Sequence, residues 1–260
     1  MNELLQKAIQ AALQAGQEIL KIYEQDFAVE HKADASPLTQ ADLASNQVIL
    51  EHLAPTQISI ISEEAQQEEY AVRKEWNRFW LVDPLDGTKE FVNRNGEFTV
   101  NIALIEGGVP QLGVIYAPYL KWLYFADENG SFKQEEITHY SEYSPHLAQR
   151  LSYQKPKDNV IVVASRSHLN EDTESFIQKL NAKYASVEKI SMGSSLKLCL
   201  IAEAKAHIYP RFSPTMEWDI AAGHAICRFA GAPVVQAEIG EPIAYNKENL
   251  LNPYFLVGEV

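Results

Sequence analysis

Leu5, Ile9, Ala12, Gly16, Ile19 and Tyr23 recur at helical spacing, which predicts a long amphipathic helix over 3–24. Ser36-Pro37-Leu38-Thr39 breaks that pattern, and Thr39 is suited to cap a second helix from about Ala41 to Leu53. Two short β-rich runs follow, Ile58-Ser59-Ile60-Ile61 and Phe79-Trp80-Leu81-Val82, and each ends in carboxylates. Between Phe98 and Phe125 the runs FTVNIALI, QLGVIYA and KWLYFA read as strands, punctuated by Gly107-Gly108 and Ala117-Pro118 as an antiparallel meander. Beyond the polar stretch 127–158, strands expected at 160–164, 186–190 and 206–209 alternate with helices at 171–181, 194–204 and 219–230. That alternation predicts a second α/β unit. The division falls softly near 150–158, giving an N-terminal half over 1–155 and a C-terminal half over 156–260.

Composition narrows the function classes. Of 260 residues, 46% are hydrophobic and 22% charged, values of an ordinary globular chain able to bury its own core. Lys and Arg number 22 against 35 Asp and Glu, a net charge of −13, which argues against a protein that grips a nucleic-acid polymer. A small phosphorylated ligand stays open, because local cations or bound metals override the net sign. The only two cysteines, Cys199 and Cys227, sit in apolar runs and read as buried small hydrophobes in a reducing compartment. MNELLQKAIQ lacks the layout of a signal peptide, and no apolar run reaches the length of a membrane span. The expectation is a cytoplasmic protein.

The chemistry concentrates where strands end. Val82-Asp83-Pro84-Leu85-Asp86-Gly87-Thr88-Lys89-Glu90-Phe91 holds two carboxylates on one tight Pro/Gly loop. At about 4 Å and an effective dielectric near 20, their repulsion is roughly 4 kcal/mol. A hard divalent cation bound through oxygens is the simplest offset, and the Leu85 carbonyl is a further oxygen between them. The plainer alternative is an Asx-turn loop with solvated aspartates. Ser62-Glu63-Glu64 adds two acids, which alone would read as a solvated strand end. Trp218-Asp219-Ile220-Ala221-Ala222-Gly223-His224-Ala225 adds a third element; there Asp219 is either a helix cap or an acid carried into a shared site by a closely packing helix. Walker A, GxGxxG, GxSxG, HExxH and CxxC patterns are absent, and the seven histidines show no ligand spacing. His224 reads as packed or exposed rather than ligating.

DPLDGTKEF at 83–91, SEE at 62–64 and WDIAAGHA at 218–225 together resemble the Mg²⁺-dependent, lithium-sensitive inositol monophosphatase superfamily, across nearly the whole chain. Lys32-x-Asp34-x-Ser36-Pro37-x-Thr39-x-x-Asp42 looks like that family's lid segment and catalytic aspartate. Within it, the match is closest to the bacterial 3'(2'),5'-bisphosphate nucleotidases of the CysQ type. Gly-Thr-Lys-Glu-Phe stands where inositol monophosphatases typically have Gly-Thr-Thr-Asn-Phe. Ser165-Arg166-Ser167-His168, Gly193-Ser194-Ser195-Leu196-Lys197 and Tyr209-Pro210-Arg211-Phe212-x-Pro214-Thr215 point the same way.

The resemblance implies a layered α/β/α/β/α sandwich of the inositol monophosphatase and fructose-1,6-bisphosphatase type, with the site between its halves. It implies two or three Mg²⁺ ions on Glu63, Asp83, the Leu85 carbonyl, Asp86 and Asp219. Thr88 with Asp42 resembles the water-activating pair, and Glu64 a supporting acid. Gly87, Thr88, Gly193, Ser194, Ser195, Lys197, Arg211 and Asp219 would meet the substrate. The implied activity is hydrolysis of adenosine 3',5'-bisphosphate (PAP), or its phosphosulfate PAPS, to AMP or APS in sulfur metabolism. Alternatives are inositol monophosphate or sugar-bisphosphate hydrolysis, or a non-catalytic phosphonucleotide binder. Monomer and homodimer both fit, as does peripheral association with the inner face of the cell membrane.

Overall fold

The N-terminal helix α1 (Glu3–Tyr23) buries every residue of the predicted apolar face, and the Asn2 side chain caps it by accepting the Leu4 N–H at 3.0 Å. The computed structural model describes residues 2–25, 29–31, 37–165 and 170–260, so Lys32, Asp34 and Ser36 of the expected lid and Arg166-Ser167-His168 lie outside the described residues. A short hairpin, β1 (Val29–His31) with β2 (Pro37–Thr39), leads into α2 (Gln40–Leu53). Thr39 caps α2 as expected: its Oγ1 accepts the Ala41 N–H at 3.1 Å, and Asp42 Oδ2 accepts the Thr39 N–H at 2.8 Å.

The central sheet comprises β3 (Ser59–Ser62), β4 (Arg78–Asp86), β5 (Thr99–Glu106), β6 (Val109–Ala117), β7 (Trp122–Asp127), β8 (Gly130–Gln134) and β9 (Gln149–Arg150), in that spatial order. The meander is antiparallel, and only β3 runs parallel to its neighbour. Two short helices interrupt it, α3 (Tyr70–Arg73) and α4 (Thr88–Val92). Strands β8 and β9 fall in the stretch that reads as merely polar. Their polarity hides a buried charge: Lys133, on β8, sits 3.2 Å from Glu203 and 2.6 Å from Glu135 and over the Trp122 ring.

The C-terminal half follows the expected alternation with small shifts: β10 (Asn159–Ala164), α5 (Glu171–Asn181), β11 (Ser186–Ser191), α6 (Leu196–Ala202), β12 (Tyr209–Arg211) and α7 (Glu217–Ala230). β10 and β11 pair in parallel. Two strands without a sequence signal, β13 (Val234–Gln236) and β14 (Phe255–Val257), complete a small antiparallel sheet in the order β12-β14-β13. The layers run α1 and α2, the seven-stranded sheet, α6 and α7, the C-terminal strands, then α5. This is an α/β/α/β/α sandwich, as expected. One apolar core fills the α1–α2 face of the large sheet and another the α6–α7 face. The small-residue stripe of α7 allows that second contact: a Cβ on Gly113 of β6 would collide with the Ala222 carbonyl, and one on Gly223 would meet Leu198 at 2.8 Å. His224 is packed, as one expectation held, with Nδ1 2.9 Å from the Tyr245 hydroxyl and its pKa pushed down to about 4, chiefly by burial. Both cysteines are buried and free.

Candidate active site

Strand β4 does not stop before its carboxylates; it runs through them. Its register against β5 shifts between Asp83, opposite Asn101, and Asp86, opposite Thr99, so Pro84 and Leu85 bulge out between the two acids. Ser45, from α2, donates to the Pro84 carbonyl at 2.6 Å, and the Leu85 N–H donates to Asp83 Oδ1 at 3.1 Å, so the loop is held from two sides. Gly87 closes it at φ 86°, a left-handed conformation where a Cβ would press the Glu97 carbonyl and Ser194 at 3.1 Å. Parallel pairing sets Ser62 opposite Val82, and the Glu63 N–H donates to the Val82 carbonyl at 3.1 Å, which brings Glu63 beside Asp83. Asp219 arrives from the first turn of α7, fixed by accepting the Met216 N–H at 2.8 Å.

These three segments converge. One carboxylate oxygen each from Glu63, Asp83 and Asp219 lies within 4.8 Å of the others. Asp83 is buried and its Oδ2 has no hydrogen-bond partner. Burial, then the charges of Glu63, Asp86 and Asp219, raise the Asp83 pKa well above the usual carboxylate range. Asp219 is raised likewise by burial, Asp86 and Glu63. Asp86 is pushed up to about 6, burial outweighing the nearby Lys197. An all-oxygen donor set with an orphaned buried oxygen and mutually repelling acids fits a hard divalent cation. Asp86 adjoins the triad, held by the Ser195 N–H at 2.5 Å.

The raised values carry a pH signature. A carboxyl whose folded pKa exceeds its unfolded value contributes stability that is present in acid and lost as pH rises through the folded value. In chelator, the three acids should therefore lower the melting temperature progressively from about pH 4, through about 6 for Asp86, and further for Asp83 and Asp219. His224 acts with the opposite sign between about 4 and 6.5, so the informative quantity is the difference between Mg²⁺ and chelator at each pH. That gain should grow steadily from pH 5 to pH 8 in thermal melts. A gain flat across that range would mean the triad is not where Mg²⁺ acts.

Thr88 opens α4 beside the triad, and its Oγ1 lies 3.3 Å from Asp42 Oδ1 and 3.2 Å from the Leu85 carbonyl. The other oxygen of Asp42 takes the Thr39 N–H and hydroxyl, so the carboxylate is oriented with one face toward Thr88. The cleft above has a volume of about 210 Å³ and is lined by Glu63, Asp83, Asp86, Thr88 and Asp219 together with Ser194, Ser195, Lys197, Tyr209, Arg211 and Thr215. Asp42, Glu64 and Gly193 stand back from that wall. Asp42 reaches it through Thr88, and the Gly193 N–H donates to Glu97 Oε2 at 2.6 Å.

The C-terminal wall is more internally bonded than its sequence implies. Ser194 takes φ 45°, and the Ser195 hydroxyl lies 2.8 Å from Thr99 Oγ1 and 2.8 Å from Asn101 Oδ1. Ser195 thus ties the start of α6 to Asp86 through its backbone and to β5 through its side chain. Lys197 is buried, donates to the Ser194 carbonyl at 2.5 Å and the Met192 carbonyl at 3.3 Å, and is lowered by burial to about 8. Arg211 Nη2 reaches the Pro214 carbonyl at 3.2 Å. Ser45, Thr99 and Asn101 escape a motif search. For the last two a signal existed, since they are the polar members of the apolar run Thr99-Val100-Asn101-Ile102-Ala103 at period two.

The sequence pattern of the Inositol monophosphatase family matches residues 1–254. The chain belongs to that family. It is 44% identical over 259 residues to the 3'(2'),5'-bisphosphate nucleotidase CysQ of Salmonella typhimurium, covering 98% of this chain and 99% of that protein. The corresponding Escherichia coli K12 protein of the same name is 42% identical over 259 residues, with the same coverage. Among solved structures, CysQ of Bacteroides thetaiotaomicron, a bacterial member of the inositol monophosphatase family, is 50% identical with a TM-score of 0.89 over 98% of this chain and 96% of its own. SuhB of Bartonella henselae, 23% identical with a TM-score of 0.77 over 99% of this chain and 94% of its own, shares the family fold.

Proposed function

We propose that this family member is a Mg²⁺-dependent phosphomonoesterase that hydrolyses adenosine 3',5'-bisphosphate to AMP and phosphate, with the phosphosulfate analogue as a second substrate, in cytoplasmic sulfur metabolism. The convergence of Glu63, Asp83 and Asp219 at the floor of the cleft carries this reading. The 44% identity to a bisphosphate nucleotidase over the full chain supports the nucleotide substrate.

Glu63, Asp83, the Leu85 carbonyl, Asp86 and Asp219 would hold two or three Mg²⁺ ions. When bound, Mg²⁺ supplies Lewis acidity, neutralising charge on the phosphoryl oxygens and making a nearby water easier to deprotonate. The protein residues do the rest. Thr88 Oγ1 orients the attacking water in line with the scissile bond and relays its proton toward Asp42 Oδ1, with Glu64 as a supporting acid. Gly87 leaves the backbone at Thr88 open to the phosphate. The half over 1–155 brings the water-activating pair and most ligands; the half over 156–260 brings Asp219 and the wall of Ser194, Lys197 and Arg211 that would face the nucleotide and its second phosphate.

The test is phosphate release from adenosine 3',5'-bisphosphate beside inositol 1-phosphate. The nucleotide should be turned over with the far higher kcat/KM. Lys197→Ala should raise KM for the nucleotide about 10- to 100-fold, the size of one lost charge-assisted contact, while leaving inositol 1-phosphate nearly unchanged. Equal effects on both substrates would remove Lys197 from the specificity pocket.

A further inference from the structure

Arg73 and Glu217 hold no metal position and line no part of the cleft, yet both are buried charges with three hydrogen bonds each, all to one loop. Glu217, in the first turn of α7, is 0% exposed and accepts from the Asn246 N–H at 2.7 Å, the Lys247 N–H at 3.0 Å and Lys247 Nζ at 2.5 Å. Arg73, ending α3, is 4% exposed; it donates to Asn246 Oδ1 at 2.9 Å, the Lys247 carbonyl at 2.7 Å and the Glu248 carbonyl at 2.7 Å. Asn246 Nδ2 returns a bond to the Arg73 carbonyl at 2.6 Å. Asn246 sits at φ 67°, a left-handed conformation that Asn tolerates better than most residues. Loop 246–248 therefore grips Arg73 with its side chain and carbonyls and Glu217 with its N–H groups.

The ends of this clasp matter. Glu217 precedes Asp219 by two residues, and Arg73 follows Glu63 by ten. Glu63 leaves β3, the edge strand of the large sheet, which is paired on one side only. Sheet pairing thus fixes the approach of Glu63 to Asp83, while α7 packs on the same sheet across β4 to β8, so the segment after Glu63 and the first turn of α7 meet the sheet separately. The clasp joins those two segments. Apolar packing could close the same gap without desolvating charges; a network of fixed hydrogen-bond directions adds geometric definition that packing does not.

We propose that Arg73 and Glu217 are positioning residues, which act through loop 246–248 to set the spacing of Glu63 and Asp219 and so the affinity for the divalent cation. This rests on the metal reading given above. Calorimetric titration of Mg²⁺ into the intact protein tests it. Arg73→Met and Glu217→Gln should each weaken Mg²⁺ roughly 10- to 100-fold, the range for residues that orient metal ligands. At saturating Mg²⁺ their kcat should return to within a few-fold of the parent, because every ligand is intact. Tyr116→Phe, which removes a buried bond to the Ile137 carbonyl far from the clasp, should lower the melting temperature and leave Mg²⁺ affinity unchanged. Parent-like Mg²⁺ affinity in both clasp variants overturns the proposal and leaves a structural tie only. Should those variants not fold, Asn246→Gly keeps the left-handed backbone and removes the side-chain bonds; unchanged affinity there overturns it equally. A parent protein that binds no Mg²⁺ at all defeats the metal reading itself, a distinguishable result.

Discussion

Asp83→Asn and Asp219→Asn are each expected to lose at least about 10³-fold in kcat/KM at saturating Mg²⁺, about 4 kcal/mol of transition-state stabilisation. The parent should be inactive in chelator and recover on adding Mg²⁺. The size of the effect follows from the barrier. Uncatalysed phosphate-ester hydrolysis is slow enough that the site must remove of order 20 kcal/mol, and charge neutralisation is the feature here able to carry most of it. Stability should move the other way. Asp83 is buried with an orphaned oxygen among like charges, so an isosteric amide relieves repulsion in the metal-free protein. Asp83→Asn should therefore melt in chelator at or above the parent's temperature at pH 8 while being nearly inactive. A variant that keeps a tenth of the parent's turnover, or that melts far below it in chelator, would remove Asp83 from the metal site.

That opposition of activity and stability marks what a sequence can display. Asp83, Asp86 and Gly87 announce themselves because like charges on a Pro/Gly loop conflict locally, and a local conflict signals function. The apolar stripe of α1 and the runs of β5, β6 and β7 were legible for the complementary reason, since their apolar residues are the buried ones at nearly every position. What stayed hidden depends on partners distant in sequence. Lys133 makes 130–134 look like loop until Glu203, seventy residues away, neutralises it inside the sheet. Ser195 lines the cleft beside Ser194, and what no motif shows is that its hydroxyl also meets Thr99 and Asn101, 96 and 94 residues away. Arg73 and Glu217 look like ordinary surface charges at helix ends, and the hydrogen bonds of their buried side chains go to one loop at 246–248. Strands β13 and β14 are three residues each, too short for periodicity to register.

Thr88 and Asp42 give the second large effect. Thr88 has one hydroxyl proton and two acceptors at nearly equal distance, Asp42 Oδ1 at 3.3 Å and the Leu85 carbonyl at 3.2 Å. Either bond leaves the threonine oxygen able to accept from a water, but only Asp42 is a base that can take the proton passed through the hydroxyl; the Leu85 carbonyl is itself a proposed ligand. Asp42 biases that choice because Thr39 occupies its other oxygen and fixes the carboxylate plane. Thr88→Ala should lower kcat by about 10²- to 10⁴-fold, the usual range for a proton-transfer group, with KM changed only slightly. Asp42→Asn should behave alike, and it also weakens the α2 cap, so its melting temperature is measured alongside. The decisive number is the double variant. If the two residues form one relay, breaking either breaks it, and Thr88→Ala with Asp42→Asn should cost little beyond the worse single change. Losses that multiply would mean that the two residues do not work as a unit.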